Sequence, residues 1–130
     1  MKKKWYDDSF WHRDFIDLWT IPHTLFGTMP AFLCALLGYN MLIGFLVTII
    51  IAIVWEIGET VVGVWSDEAL SNKVSDIIIA GIGYDIIWGW IYFFQPEQEL
   101  VYQIFLIVWM TLIVTSAIGW TGYYLWHKNN

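Results

Sequence analysis

The sequence predicts an all-α integral membrane protein, a bundle of four transmembrane helices with both termini in the cytoplasm. Of its 130 residues, 58% are hydrophobic and only 14% are charged, which is too little charge to cover a soluble domain of this size. The apolar residues are gathered into four long runs. All six Lys and Arg residues fall on the side that an even number of crossings gives to the termini.

The four apolar runs are the predicted transmembrane helices, at about 21–38, 42–64, 77–94 and 100–126. A helix needs about 20 residues to cross ~30 Å of hydrocarbon, so the first and third runs are close to the lower limit. Each run must be helical, because lipid offers no hydrogen-bond partner to free backbone groups. The predicted organisation is therefore a cytoplasmic arm (1–20), a transmembrane domain (21–126) and a cytoplasmic tail (127–130).

The basic residues predict the orientation of this bundle. They lie in the N-terminal arm, in the loop 66–75 and in the tail: Lys2, Lys3, Lys4, Arg13, Lys73 and Lys128. The opposite loops, 39–41 and 95–99, contain no Lys or Arg. Because positive charge is retained in the cytoplasm, we expect a multi-pass protein of the cell membrane with the termini inside. No basic patch indicates nucleic-acid binding, so the lipid bilayer is the first expected partner.

The N-terminal region predicts a short interfacial helix that leads into the first span. Residues 8–19 place Trp11 and Phe15 on one face and Arg13 and Asp17 on another, as in helices that lie on a membrane surface. We expect Thr20 to cap the first transmembrane helix and Pro30 to kink it. The link 38–40 is so short that it predicts a tight hairpin between the first two spans.

Ionisable side chains inside a span are costly, so each one needs an explanation. The candidates for a polar site are His23, Glu56, Glu59, Asp76 and Asp85. Glu56 and Glu59 are three residues apart, so they share one helix face near its cytoplasmic end. Two close carboxylates repel unless a proton or a cation neutralises one of them. Alternatively, both glutamates are protonated and form hydrogen bonds that hold neighbouring helices together.

His23 and Asp76 also fall near the predicted cytoplasmic face, which favours a single site. Each residue also has an explanation without a site. His23 would be an interfacial histidine, Asp76 the N-cap of the third helix, and Asn72 an ordinary loop residue. Asp85 is about half a turn out of phase with Asp76, so one helix face does not present both. Its depth in the membrane favours Asp85 as the partner of Glu56, whereas its proximity to water favours Asp76 as the partner of Glu59. Hydroxyl groups of the fourth span, at Thr111, Thr115 and Ser116, are candidate neighbours.

Three short motifs resemble the VanZ-like superfamily, most nearly its YjdF-type branch. They are His23-x-x-x-Gly27-x-x-Pro30, Trp55-Glu56-x-x-Glu59, and Asn72-x-x-x-Asp76 followed by Gly81-x-Gly83. The resemblance covers roughly residues 17–90 and implies that the matched positions are His23, Gly27, Glu56, Glu59 and Asp76. The family's Asp–Lys pair shortly before the histidine is absent, since Asp17 has no Lys beside it. The resemblance implies a site rather than a reaction.

Two functions of different class follow from these residues. The first is an inward-facing site of His23, Glu56, Glu59 and Asp76 for a divalent metal ion or a lipid headgroup, because carboxylates and one imidazole suit such a cation. The alternative is a non-catalytic accessory subunit whose carboxylates pair with another membrane subunit or a second copy. A proton or ion conduit through Asp85 is a third hypothesis. The spacing lacks the Glu-x-x-His pairs of di-iron bundles and the usual hydrolase motifs, so no enzyme activity is assigned.

Overall fold

The computed structural model describes residues 19–62 and 70–129, and this part of the chain is helical apart from two short turns. The helices are α1 (Thr20–Leu37), α2 (Met41–Val62), α3 (Leu70–Phe94) and α4 (Gln98–Asn129). Each is long and apolar enough to cross a membrane, so the prediction of four membrane-spanning helices in an all-α protein is confirmed. The predicted interfacial helix falls, except for Trp19, outside the described residues.

Two predicted helix starts need correction. α3 begins at Leu70, so Asn72 lies inside a helix rather than in a loop, and Asp76 is too far along that helix to be its N-cap. The apolar run marks where the hydrocarbon begins, whereas the helix continues into more polar sequence. In α1 the N-cap position belongs to Trp19, and Thr20 is already helical. Thr20 contributes its carbonyl, which accepts a hydrogen bond from Thr24 Oγ1 at 2.7 Å.

The turn between α1 and α2 is the tight hairpin that the sequence predicts. Gly38 adopts a left-handed conformation at φ 69°, which ends α1 and which glycine takes without a steric penalty. Tyr39 N–H then donates to the carbonyl of Cys34 at 2.9 Å. The side chain of Asn40 accepts hydrogen bonds from the backbone N–H groups of Leu42 and Ile43 and so caps α2. These local bonds make α2 run back along α1.

α1 is the central helix of the bundle. It packs against α2, α3 and α4, whereas α4 approaches only α1 among the described helices. Phe32 and Phe105 meet edge to face at 6.0 Å, and Trp19 and Trp120 do so at 5.8 Å, which shows that α4 runs antiparallel to α1. α3 also packs against α2, and this leaves α4 separated from the α2–α3 pair.

The distribution of polarity is the reverse of that in a soluble domain. Thr48, Asn72 and Asp76 are buried inside the bundle. Large apolar side chains cover the outside; Ile50 and Val54 of α2, for example, are 59% and 61% exposed. Water would not tolerate so extensive an apolar surface, and lipid tails would cover it without cost. The fold therefore belongs to a multi-pass membrane protein.

α1 and α3 cross at very close range because both are small where they meet. Gly27 lies against the backbone carbonyl of Ala80, and a side chain at Gly27 would overlap it. Gly83 lies in the same way against the backbone of Thr24, so the missing side chain lets the two helices approach at this position as well. This crossing lies beside the polar residues and sets how closely the side chains of the two helices approach.

Candidate metal centre

Three of the predicted polar residues converge at one end of the bundle. His23 comes from the first turns of α1, Glu56 from the last turns of the described α2, and Asp76 from the second turn of α3. His23 Nε2 lies 4.0 Å from Glu56 Oε1, and His23 Nδ1 lies 3.1 Å from Asp76 Oδ1. One potential ligand atom from each residue falls within 4.8 Å of the other two. The convergence expected from the sequence is present for these three residues.

The carboxylates of this cluster are deeply buried. Only 6% of Glu56 and 2% of Asp76 is exposed. Within the described residues, the ion-pair partner of Asp76 is His23. The two side chains are close but not aligned for hydrogen bonding, so His23 Nδ1 and Asp76 Oδ1 are buried with no hydrogen-bond partner in the described structure. The two atoms form an ion pair without the alignment of a hydrogen bond, and at this separation both can bind the same cation.

The spacing of the cluster suits a metal ion. Nitrogen and oxygen ligands at about 2.0–2.2 Å from a common ion lie roughly 3–4 Å from one another. His23 Nδ1 and Asp76 Oδ1, 3.1 Å apart, are in that range. The 4.0 Å distance to Glu56 is measured from the other ring nitrogen, and one ligand atom from each residue lies within 4.8 Å of the other two. One imidazole with two carboxylates is a donor set that binds Fe(II), Mn²⁺ or Zn²⁺ and leaves coordination positions open. Small side-chain adjustments would bring the three groups onto one ion.

The cluster faces a cavity of about 220 Å³ to which all four helices contribute. Its walls are formed by Trp19, Pro22, His23, Phe26, Ala52, Trp55, Glu56, Glu59, Asp76, Ala80, Leu112, Ser116 and Trp120. The α1 and α2 residues recur at intervals of three and four, so each helix presents a single face to the cavity. The cavity is thus mostly apolar and aromatic, with the ionisable groups concentrated along one part of its wall.

Glu59 lies on the wall of this cavity but outside the three-residue cluster. Its Oε1 accepts a hydrogen bond from Trp55 Nε1 at 2.8 Å. It is half-buried and stands one helical turn beyond Glu56. The structure therefore places the predicted fourth ligand next to the candidate metal site, as an additional negative charge in the same cavity.

Asp85 is not brought to the site. It is exposed on the outer surface of α3 and does not line the cavity. The expected pairing of Asp85 with Glu56 is thus not formed, and Glu56 faces His23 instead. The physical reason is the half turn between Asp85 and Asp76, which directs only Asp76 toward α1 and α2.

On α4, Ser116 lines the cavity, whereas the hydroxyls of Thr111 and Thr115 donate to carbonyls of their own helix.

The sequence analysis names Asn72 in the motif Asn72-x-x-x-Asp76, but it treats Asn72 as a loop residue and leaves it out of the candidate site. Asn72 is fully buried, and its Nδ2 lies 3.5 Å from Asp76 Oδ2, one turn along α3. The spacing of four residues was the available signal, but it has meaning only if the helix already includes Asn72.

Beside Asn72, Lys73 Nζ donates to Thr60 Oγ1 at 2.6 Å, and Thr60 Oγ1 donates to the carbonyl of Glu56 at 2.8 Å. These bonds join α2 to α3 next to the cluster.

The fold and the site define a multi-pass helical membrane protein with a buried histidine–carboxylate cluster. No protein-family model, curated protein or solved structure matches the chain. What the cluster does is accordingly argued from its geometry and charge.

Proposed function

We propose that this protein binds a divalent metal ion within the membrane through His23, Glu56 and Asp76. The observation that carries the proposal is the pair of buried atoms His23 Nδ1 and Asp76 Oδ1, which face each other at 3.1 Å without the alignment of a hydrogen bond. Glu56 Oε1 lies 4.0 Å from the other ring nitrogen, Nε2, and one ligand atom from each of the three residues lies within 4.8 Å of the other two. A cation bound by His23 Nδ1 and Asp76 Oδ1 would take Glu56 as its third ligand after a small rotation of that side chain.

The charge of the site supports a cation over an empty cluster. Glu56 and Asp76 are both buried, and Glu59 adds a third carboxylate on the cavity wall. One imidazole carries at most a single positive charge, and burying a carboxylate costs several kcal/mol unless an opposite charge lies close to it. A divalent ion balances the two buried carboxylates directly. Protonated carboxylic acids would instead be expected to form aligned hydrogen bonds with the histidine.

We further propose that the site faces the cytoplasm and that the chain is related to VanZ-like proteins. The cytoplasmic orientation is supported by the distribution of all six Lys and Arg residues. The relationship is supported by the fact that the motif residues His23, Glu56 and Asp76 are those that assemble, while Gly27 forms the close crossing beside them. The motifs therefore coincide with a spatial site, although they are distant in sequence.

Metal titration of the purified protein tests the proposal. The protein in detergent is stripped with a chelator and titrated with Mn²⁺ or Zn²⁺ by calorimetry, with Mn²⁺ binding checked by electron paramagnetic resonance. We expect one ion per chain in the wild type and at least about a tenfold loss of affinity in Glu56→Gln and in Asp76→Asn, since losing even an outer partner of a ligand costs that much.

Asp85→Asn is the matched control for this titration. It makes the same carboxylate-to-amide change on α3, but at a residue on the outer surface of the bundle. We expect its affinity for the metal ion to equal that of the wild type. The proposal is wrong if Glu56→Gln and Asp76→Asn bind the ion as tightly as this control does.

A further inference from the structure

We infer that the cavity receives the headgroup of a zwitterionic phospholipid, which enters sideways from the bilayer and places its phosphate on the metal ion and its ammonium group beside Glu59. This inference rests on the proposed metal site, because the ion supplies the charge that holds the phosphate. Four features of the structure support it: the volume of the cavity, its lateral boundary, its charge pattern and its aromatic walls.

The cavity is larger than a metal ion alone requires. Three protein ligands leave about three coordination positions open on a six-coordinate ion. Three water molecules would occupy about 90 Å³ at roughly 30 Å³ each. The cavity of about 220 Å³ is more than twice that volume, and most of its wall is apolar. Water would gain little from filling the remainder, so a partly apolar ligand is expected there.

The boundary of the cavity leads toward lipid. α4 contributes Leu112, Ser116 and Trp120 to the wall, yet among the described helices its backbone approaches only α1. Within the described part of the chain, helix packing therefore does not close the wall between α4 and the α2–α3 pair. Outside it, the surface of α4 carries exposed apolar side chains such as Ile113 and Val114. An amphiphile can enter here while its acyl chains remain in the hydrocarbon of the bilayer. A small water-soluble ligand on this route would have to cross that hydrocarbon.

The charges along the cavity wall favour a zwitterionic headgroup. A divalent ion with two carboxylates has no net charge, and its open positions accept an anionic phosphate oxygen. Glu59 then contributes a negative charge three residues further along α2, where the Cβ atoms of such a pair lie about 5–6 Å apart. Among the described residues of the wall none is Lys or Arg, and the carboxylate of Glu59 repels a second anion. A phosphate followed at that distance by an ammonium group matches this sequence of charges.

The aromatic wall favours the ammonium end of the headgroup. Trp19, Trp55 and Trp120 line the cavity, and Trp55 donates to Glu59. Aromatic faces within about 6 Å attract organic cations, most strongly where water is excluded. Phosphoethanolamine and phosphocholine both carry such a cation, whereas a glycerol headgroup does not.

Native mass spectrometry of the full chain tests the inference. The protein is loaded with Mn²⁺ and released from mixed micelles that contain equal amounts of phosphatidylethanolamine, phosphatidylcholine and phosphatidylglycerol. Only metal-loaded molecules are scored. We expect at least a tenfold preference for one or both zwitterionic lipids over phosphatidylglycerol, and release of the bound lipid when the ion is chelated. Glu59→Gln should abolish the preference, and Glu97→Gln, an exposed glutamate at the other end of the bundle, should preserve it.

The possible failures are distinguishable. Metal-loaded protein that shows no lipid preference, or retains phosphatidylglycerol equally, overturns the lipid inference and leaves the metal site intact. Protein that never takes up Mn²⁺ overturns the metal site and the inference with it. If the Glu59→Gln variant still prefers zwitterionic lipids to phosphatidylglycerol, the ammonium group does not lie beside Glu59 and that part of the inference is wrong. Soluble phosphoethanolamine that competes as effectively as the lipid shows that the ligand need not come from the bilayer, which contradicts lateral entry.

Discussion

Asp76 shows how one carboxylate acquires a function from its immediate neighbours. Its Oδ1 faces His23, and its Oδ2 lies 3.5 Å from the amide nitrogen of Asn72. An outer partner of this kind fixes the orientation of a ligating carboxylate and raises its affinity for the metal ion. Asn72 is fully buried beside the cluster. If Asp76 binds the proposed ion, Asn72 is in the position of such an outer partner.

We predict that Asn72→Ala weakens metal binding by about 10- to 100-fold, the usual effect of removing an outer partner. The measurement is the same calorimetric titration, supported by the Mn²⁺ resonance spectrum, whose line shape reports a change in coordination. Val74→Ala serves as the control, because Val74 lies on the outer surface of α3 and is 47% exposed. Equal affinities in the two variants would show that Asn72 only fills space.

The same residues show what sequence alone resolves at this scale. His23, Glu56 and Asp76 were recognisable because an ionisable group in a span is costly enough to require an explanation. Choosing between Asp76 and Asp85 was not resolvable from depth, since the choice depends on which face of α3 meets α1. Asn72 is left out of the predicted site because it precedes the apolar run 77–94, whereas α3 already begins at Leu70. Hydropathy reports the thickness of the membrane, not the full length of a helix.

At the scale of elements, α1 organises the site. It contacts each of the other three helices, and it carries His23 on the face that looks toward α2 and α3. The crossing with α3 at Gly27 and Ala80 lies one turn from the histidine. A close crossing so near the site holds His23 against Asp76, so the distance between the helices and the geometry of the site are coupled.

We predict that Gly27→Ala destabilises the protein by about 1–3 kcal/mol, because the added methyl group overlaps the backbone of Ala80 and forces the helices apart. The measurement is thermal unfolding in detergent, followed by circular dichroism. Metal affinity should fall in the same variant, since His23 moves away from Asp76 as the helices separate.

Gly58→Ala is the matched control for this variant. It makes the same change in the interior of α2, at a glycine where no atom of the described residues lies within 4 Å of the added methyl group. Alanine is favoured over glycine in a helix by about 0.8–1 kcal/mol, so this variant should be as stable as the wild type or slightly more so. Matching losses of stability in the two variants would contradict close packing at Gly27.

At the scale of the whole molecule, the number of crossings follows from the sequence but the arrangement of the helices does not. The four spans were predictable because the bilayer fixes the length of an apolar run, and the hairpin followed from the short link 38–40. The separation of α4 from α2 and α3 was not predictable. Apolar side chains cover both the lipid-facing and the helix-facing sides of a span, so their pattern does not identify neighbours.

The orientation of the bundle is the remaining prediction at this scale. We expect both termini in the cytoplasm, because all six Lys and Arg residues lie on the side of the termini and positive charge is translocated poorly. Cysteine labelling measures it in a Cys34→Ser background, which removes the single native cysteine. A cysteine at Glu97, in the turn between α3 and α4, should react in intact cells with a membrane-impermeant maleimide. A cysteine appended after residue 130 should react only after the cells are permeabilised. The opposite pattern would place the metal site on the outer face, where it would meet the outer leaflet and its lipids instead.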